Sequence, residues 1–155
     1  MEPGVTQRVL KGMGGGAVAT GAMSAVMLAA QEAGLMGKLP PKKITETMLD
    51  WLHVRRTESE ENVWTGVAHV AYGVGCGGLF AWLQDKVPGP MSAPVKGALF
   101  GSVVWMVSYF GWVPALGIMS SPPRDRPGRP TSMLVAHVVF GTVLGLFMRR
   151  KAQPA

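Results

Sequence analysis

Four stretches of this chain, residues 9–36, 63–84, 95–119 and 131–149, are apolar and carry scarcely a charge. Each runs for about 20 residues or more, enough to cross a hydrocarbon core as a helix. Backbone polar groups find no water inside a bilayer, so a spanning segment must satisfy them within itself. The pattern therefore predicts an all-α integral membrane protein: a four-helix bundle with both termini on the same side. The chain has 155 residues, 48% of them hydrophobic, and a mean hydropathy of +0.23. A soluble domain of this size interleaves its charges along amphipathic elements instead. The 21 glycines fit the same reading, being commoner in membrane helices than in soluble ones. The first stretch has a basic start at Arg8 and Lys11 but far exceeds the apolar region of a cleaved signal peptide, so it is expected to remain.

The formal charge of +6 does not point to nucleic acid. Arg8, Lys11, Lys38, Lys86, Lys96, Arg149, Arg150 and Lys151 sit at helix ends, where they anchor to anionic headgroups, and no aromatic-interleaved basic patch accompanies them. The expected partner is the lipid bilayer, with a homo-oligomer or a larger membrane complex as further options. Basic residues on the two sides nearly balance, and their closeness to the helix ends favours cytoplasmic termini. Cys76 is the single cysteine, which excludes an intrachain disulfide and reads as a small buried hydrophobe.

The chain also writes one phrase twice. Ala68–His69–Val70 matches Ala136–His137–Val138, Tyr72 matches Phe140, and Gly73 and Gly77 match Gly141 and Gly145 without a gap. "KGMGGGAVATGAMSAVM" from Lys11 aligns with "KGALFGSVVWMVSYF" from Lys96, and "GLMGKLPP" from Gly34 with "GIMSSPP" from Gly117. The expected organisation is one membrane domain, 1–155, of two parallel helix-pair repeats, 8–85 and 93–150. Two crossings per unit bring both copies in from the same side. Four-residue spacing puts Gly73 and Gly77 on one helical face, Gly141 and Gly145 on another, and Gly12 and Gly16 on the first helix, where small residues let backbones approach closely. Residues 42–54 form an amphipathic segment, with Ile44, Met48, Leu49 and Leu52 on one face, suited to an interfacial helix or a cap over the bundle. The corresponding stretch "PPRDRPGRPTS" is too rich in proline for a helix.

Ionisable residues inside such helices are costly and need partners. Measured along the helix axes, Glu32, His69 and His137 are expected to converge at one level near the two longer loops. Two histidines and a carboxylate are able to bind Zn²⁺ or Fe²⁺. Two histidines alone also suit haem, though tight glycine seams leave little room for a porphyrin. A third reading is a protonatable gate, and a fourth a polar knot that only locks three helices together. Thr20, Ser24, Ser102 and Ser108 are expected to bond back to their own helices. The scattered methionines read as core rather than Cu(I) ligands. No Ser–His–Asp set, phosphate loop or CxxC motif occurs, so the leading expectation is a non-enzymatic membrane protein. It would be a small transporter, channel-like or accessory protein. The alternative is a membrane metalloprotein or haem-binding enzyme or subunit.

The order of "QEAGLMGKLPPK", "GVAHVAYG", "GIMSSPP" and "AHVVFG" followed by basic residues resembles the YagU-like family of small bacterial inner-membrane proteins. The resemblance spans most of residues 8–151. It implies an inner-membrane location, a loose association with acid tolerance, and added weight for Glu32, His69 and His137. The loops here are shorter and less aromatic than the family's.

Overall fold

The computed structural model describes residues 4–87 and 90–149. Arg150, Lys151 and the outer ends of the 1–155 domain and the 93–150 repeat lie outside the described residues. Among the described residues five helices occur and no strand: α1 (Val5–Glu32), α2 (Pro40–Trp51), α3 (Glu58–Leu83), α4 (Ala93–Ala115) and α5 (Arg129–Met148). Four of them, α1, α3, α4 and α5, are long and apolar enough to cross a membrane. The all-α bundle expected from the apolar stretches is thus the observed architecture.

Local chemistry sets the helix ends, several of which differ from the apolar boundaries. Helix α1 stops at Glu32 rather than 36 because Gly34 takes φ +76°. The Leu35 N–H then bonds the Ala30 carbonyl (2.9 Å) and the Gly34 N–H bonds that of Gln31 (2.9 Å), a glycine-terminated helix end. Helix α4 ends in the same way at Gly117, φ +69°, with Ile118 bonded to Val113 and Gly117 to Pro114. Helix α3 begins at Glu58, five residues ahead of its apolar run. There the Thr57 hydroxyl accepts from the Glu60 N–H (3.3 Å) while the Glu60 carboxylate accepts from the Thr57 N–H (2.7 Å). Helix α2 starts earlier than the expected 42–54 segment, at Pro40 and Pro41, whose fixed φ suits a first turn. The loop at 116–128 holds only one short 3₁₀ turn, Pro122–Arg124, as its prolines dictate.

The bundle is assembled along two glycine seams. A Cβ added at Gly16 would fall on the Gly73 carbonyl, and one at Gly77 on the Gly12 carbonyl, so α1 and α3 meet backbone to backbone. Gly97 and Gly101 of α4 meet Gly141 and the His137 carbonyl of α5 in the same manner. Helices α1 and α5 pack together and join the two pairs. No such seam joins α3 and α4. They are bridged by rings, Phe80 against Phe100 at 5.3 Å and Tyr72 against Trp112 at 6.5 Å. Outward-facing residues such as Val18, Leu28, Val67 and Leu99 are about half exposed, as lipid-facing positions are.

Helix α4 is irregular where it faces that gap. Val107–Trp112 is π-helical, and the chain kinks at Gly111 (φ −101°, ψ −108°). Pro114 accounts for the break. It has no N–H to give the Phe110 carbonyl four residues back, and its ring crowds that carbonyl.

Candidate functional site

A cavity of about 590 Å³ occupies the half of the bundle nearest the loops 33–57 and 116–128. Each helix contributes one face to it. Thr20, Met23 and Met27 come from α1 at helical spacing, and Met133, His137 and Phe140 from α5 in the same way. Helix α3 supplies His69, Tyr72 and Cys76; the kinked part of α4 supplies Trp105, Ser108, Tyr109 and Trp112. Helix α2 closes the end with Ile44, Thr45, Met48 and Trp51, so this segment acts as a cap on the bundle as well as a surface helix. The size is that of a small-molecule site, and most of the wall is apolar.

The few polar groups in the wall are specific. The His137 Nδ1 lies 2.8 Å from the Met133 carbonyl, one turn back on its own helix. A carbonyl only accepts, so Nδ1 carries a proton, and in the neutral ring Nε2 keeps a lone pair. The His69 Nδ1 lies 3.4 Å from the Ser24 Oγ of α1. The Tyr72 hydroxyl and Ser108 Oγ are 3.3 Å apart across the gap between α3 and α4. Thr20 donates to the Gly16 carbonyl (2.8 Å) and Ser102 to that of Ala98 (3.0 Å), as expected, whereas Ser24 and Ser108 reach across to other helices instead. The indole N–H of Trp105 is buried with no hydrogen-bond partner among the described residues. An unpartnered buried donor is costly, and a small turn of the Trp105 ring toward an acceptor in the cavity would relieve that cost.

The structure brings together two of the three residues singled out in the sequence. His69 and His137 line one cavity, while Glu32 is exposed and is not part of its wall. The reason is azimuth. Thr20, Met23 and Met27 define the inward face of α1, which Gln31 continues; Glu32 is turned about 100° away. Gln31 spends its amide on the Gly37 carbonyl (2.7 Å). Among the described residues no three His, Cys, Asp or Glu side chains are grouped to hold a metal ion. Cys76 is half-buried on the cavity wall rather than in the core.

A second polar feature escaped the sequence reading. Asp125, in the loop before α5, accepts from the Tyr109 hydroxyl and pairs with Arg129 at 2.7 Å. Arg129 also donates to the Met36 carbonyl (2.9 Å) and is only 8% exposed. This network fastens the π-helical stretch of α4 to the start of α5 and to the end of the loop after α1. The i, i+4 spacing of Asp125 and Arg129 was its one visible signal.

Four helices long and apolar enough to cross a membrane surround a partly open, mainly apolar site, the build of a helical protein of the membrane class. Residues 6–155 match the family of unknown function DUF6789, and the chain belongs to that family. No curated protein and no solved structure matches the sequence, so no named relative carries the YagU-like resemblance further.

Proposed function

We propose that this protein binds a lipophilic small molecule bearing one hydroxyl-type head group, taken up from the bilayer between α3 and α4. The observation that carries the reading is the cavity itself, about 590 Å³ with both His69 and His137 in its lining. A hydroxyl fits the polar groups available. Its oxygen would accept from the unpartnered Trp105 N–H, and its proton would go to a histidine nitrogen such as the His137 Nε2. An alcohol or phenol does both, whereas a ketone only accepts. Entry from the bilayer follows from the missing glycine seam between α3 and α4, since ring contacts open at less cost than a backbone-to-backbone seam.

The metal- or proton-responsive role expected for Glu32, His69 and His137 rests in this reading on the two histidines alone. Two imidazoles supply half of a tetrahedral zinc shell, so an apolar ligand with one polar end suits the wall better than a metal ion. The helix-pair repeat is supported by equivalent features in both halves. The two glycine seams match, and so do the helix ends at Gly34 and Gly117, each followed by a buried methionine, Met36 or Met119. The resemblance stated above adds a bacterial inner membrane as the location.

The test uses Cys76, the single cysteine, as a reporter on the cavity wall. In detergent, a long-chain alcohol is expected to slow alkylation of Cys76 by N-ethylmaleimide saturably. The alkane of equal length is expected to protect far less. Equal protection by both, or none by either, contradicts the reading.

A further inference from the structure

At the opposite end of the bundle the structure carries a basic groove that the cavity does not explain. It lies where α1 and α4 begin and α3 and α5 end, holds about 340 Å³, and is lined by Arg8, Lys11, Lys96 and Asp85. Arg8 and Lys11 stand three residues apart on one face of α1. Arg8 pairs with Asp85, which aims the guanidinium into the groove, yet its Nε–H is buried without a partner among the described residues. The Lys96 ammonium is fixed by the Gln84 carbonyl (3.1 Å) and the Val87 carbonyl (2.7 Å), and its third proton has no partner among the described residues. Lys11 makes no described ion pair. Among the described residues three cations and one carboxylate line the groove, a net positive lining.

The surroundings strengthen that field. Among the described residues this end of the bundle has five cations, Arg8, Lys11, Lys86, Lys96 and Arg149, against the one acid Asp85. The other end mixes its cations with seven acids: Glu32, Glu46, Asp50, Glu58, Glu60, Glu61 and Asp125. Met91 and the buried Met148 form the apolar side of the groove.

We infer that this groove is a specific site for the phosphodiester headgroup of one anionic phospholipid, held by Arg8, Lys11 and Lys96 with its acyl chains on the bundle exterior. Lys11 supplies the uncompensated charge, Lys96 a pre-positioned donor, and Arg8 the oriented guanidinium. Basic pockets between membrane helices take such headgroups, and each cation near the surface adds about fivefold in affinity. The site is independent of the cavity, which lies in the other half of the bundle.

The test is native mass spectrometry of the whole protein after exchange into detergent with equal phosphatidylglycerol and phosphatidylcholine. The wild type is expected to retain one phosphatidylglycerol in preference to phosphatidylcholine. Lys11→Gln, which removes no described contact, is expected to lower that retention about fivefold, and Lys96→Gln similarly. Lys43→Gln, at the far end, serves as control and is expected to change nothing. Equal retention of the two lipids, or an unchanged preference in Lys11→Gln, overturns the site. Displacement of the lipid by millimolar inorganic phosphate overturns its assignment to a lipid and makes it a small-anion site.

Discussion

The backbone of Gly101 in α4 rests directly against the carbonyl of His137 in α5. One glycine of the seam therefore fixes how deeply the cavity histidine sits. The same holds on the other pair, where a Cβ at Gly73 would strike the hydroxyl of the buried Thr20, another cavity residue. The seams are thus both the glue of the bundle and the frame of its site.

Gly101→Ala is expected to cost about 1–3 kcal/mol, because the added methyl meets backbone and the helices must separate. Gly14→Ala and Gly21→Ala, with open space around the added carbon, are expected to be neutral or to stabilise by about 0.5–1 kcal/mol. Thermal unfolding in detergent separates the two groups. Equal behaviour of all three variants would remove the seams from the account.

Asp125→Ala leaves Arg129 buried without its carboxylate and is expected to destabilise by about 3–5 kcal/mol. Asp125→Leu combined with Arg129→Met removes both charges and is expected to cost much less. A double-mutant cycle with additive losses would show that the two side chains do not act as a pair.

Acid is expected to loosen the α2 cap. Burial is the largest single influence and works to raise the Glu46 carboxyl, but the hydrogen bonds to Lys38 and Glu61 and the charges of Lys38 and Lys42 together outweigh it and leave the group below its ordinary value of 4.5. A carboxyl depressed in the folded state stabilises above its unfolded pKa and loses that contribution as pH falls through the folded one. Melting temperature should therefore drop on acidification below about 4.5. The drop should be shallower in Glu46→Gln, and identical slopes would exclude Glu46 as a source.

Pro114 is expected to hold the cavity open. Pro114→Ala restores an N–H for the Phe110 carbonyl and lets α4 straighten through the π-helical stretch Val107–Trp112. Alcohol protection of Cys76 should weaken while thermal stability is kept or raised. A straight α4 with unchanged protection would mean that the kink does not shape the site.

The bundle was legible in the sequence because lipid imposes length and glycine spacing imposes faces. The residues 12, 16, 73, 77, 141 and 145 picked out by four-residue spacing lie at the seams, beside Gly97 and Gly101, which that reading passed over. The site was only half legible. Position along a helix axis placed Glu32 level with the histidines, but azimuth decides what meets, and one residue of rotation carries it out of the cavity wall. The cavity itself was hidden because it arises from a kink three residues before a proline and from a seam that is missing, neither of which has a residue pattern. Trp105, Tyr109 and Asp125 gain their roles only once α4 is bent toward the loop.

The most direct measurement is a fluorescence titration with a long-chain bromo-alcohol, since bromine quenches tryptophan on contact. Trp51, Trp105 and Trp112 line the cavity, whereas Trp64 and Trp82 are exposed outside it, so Trp64→Phe/Trp82→Phe provides the background. Saturable quenching is expected, with affinity about tenfold weaker when His137→Leu removes the acceptor. Quenching that rises linearly without saturation, and identically in both proteins, would contradict a ligand site at His137.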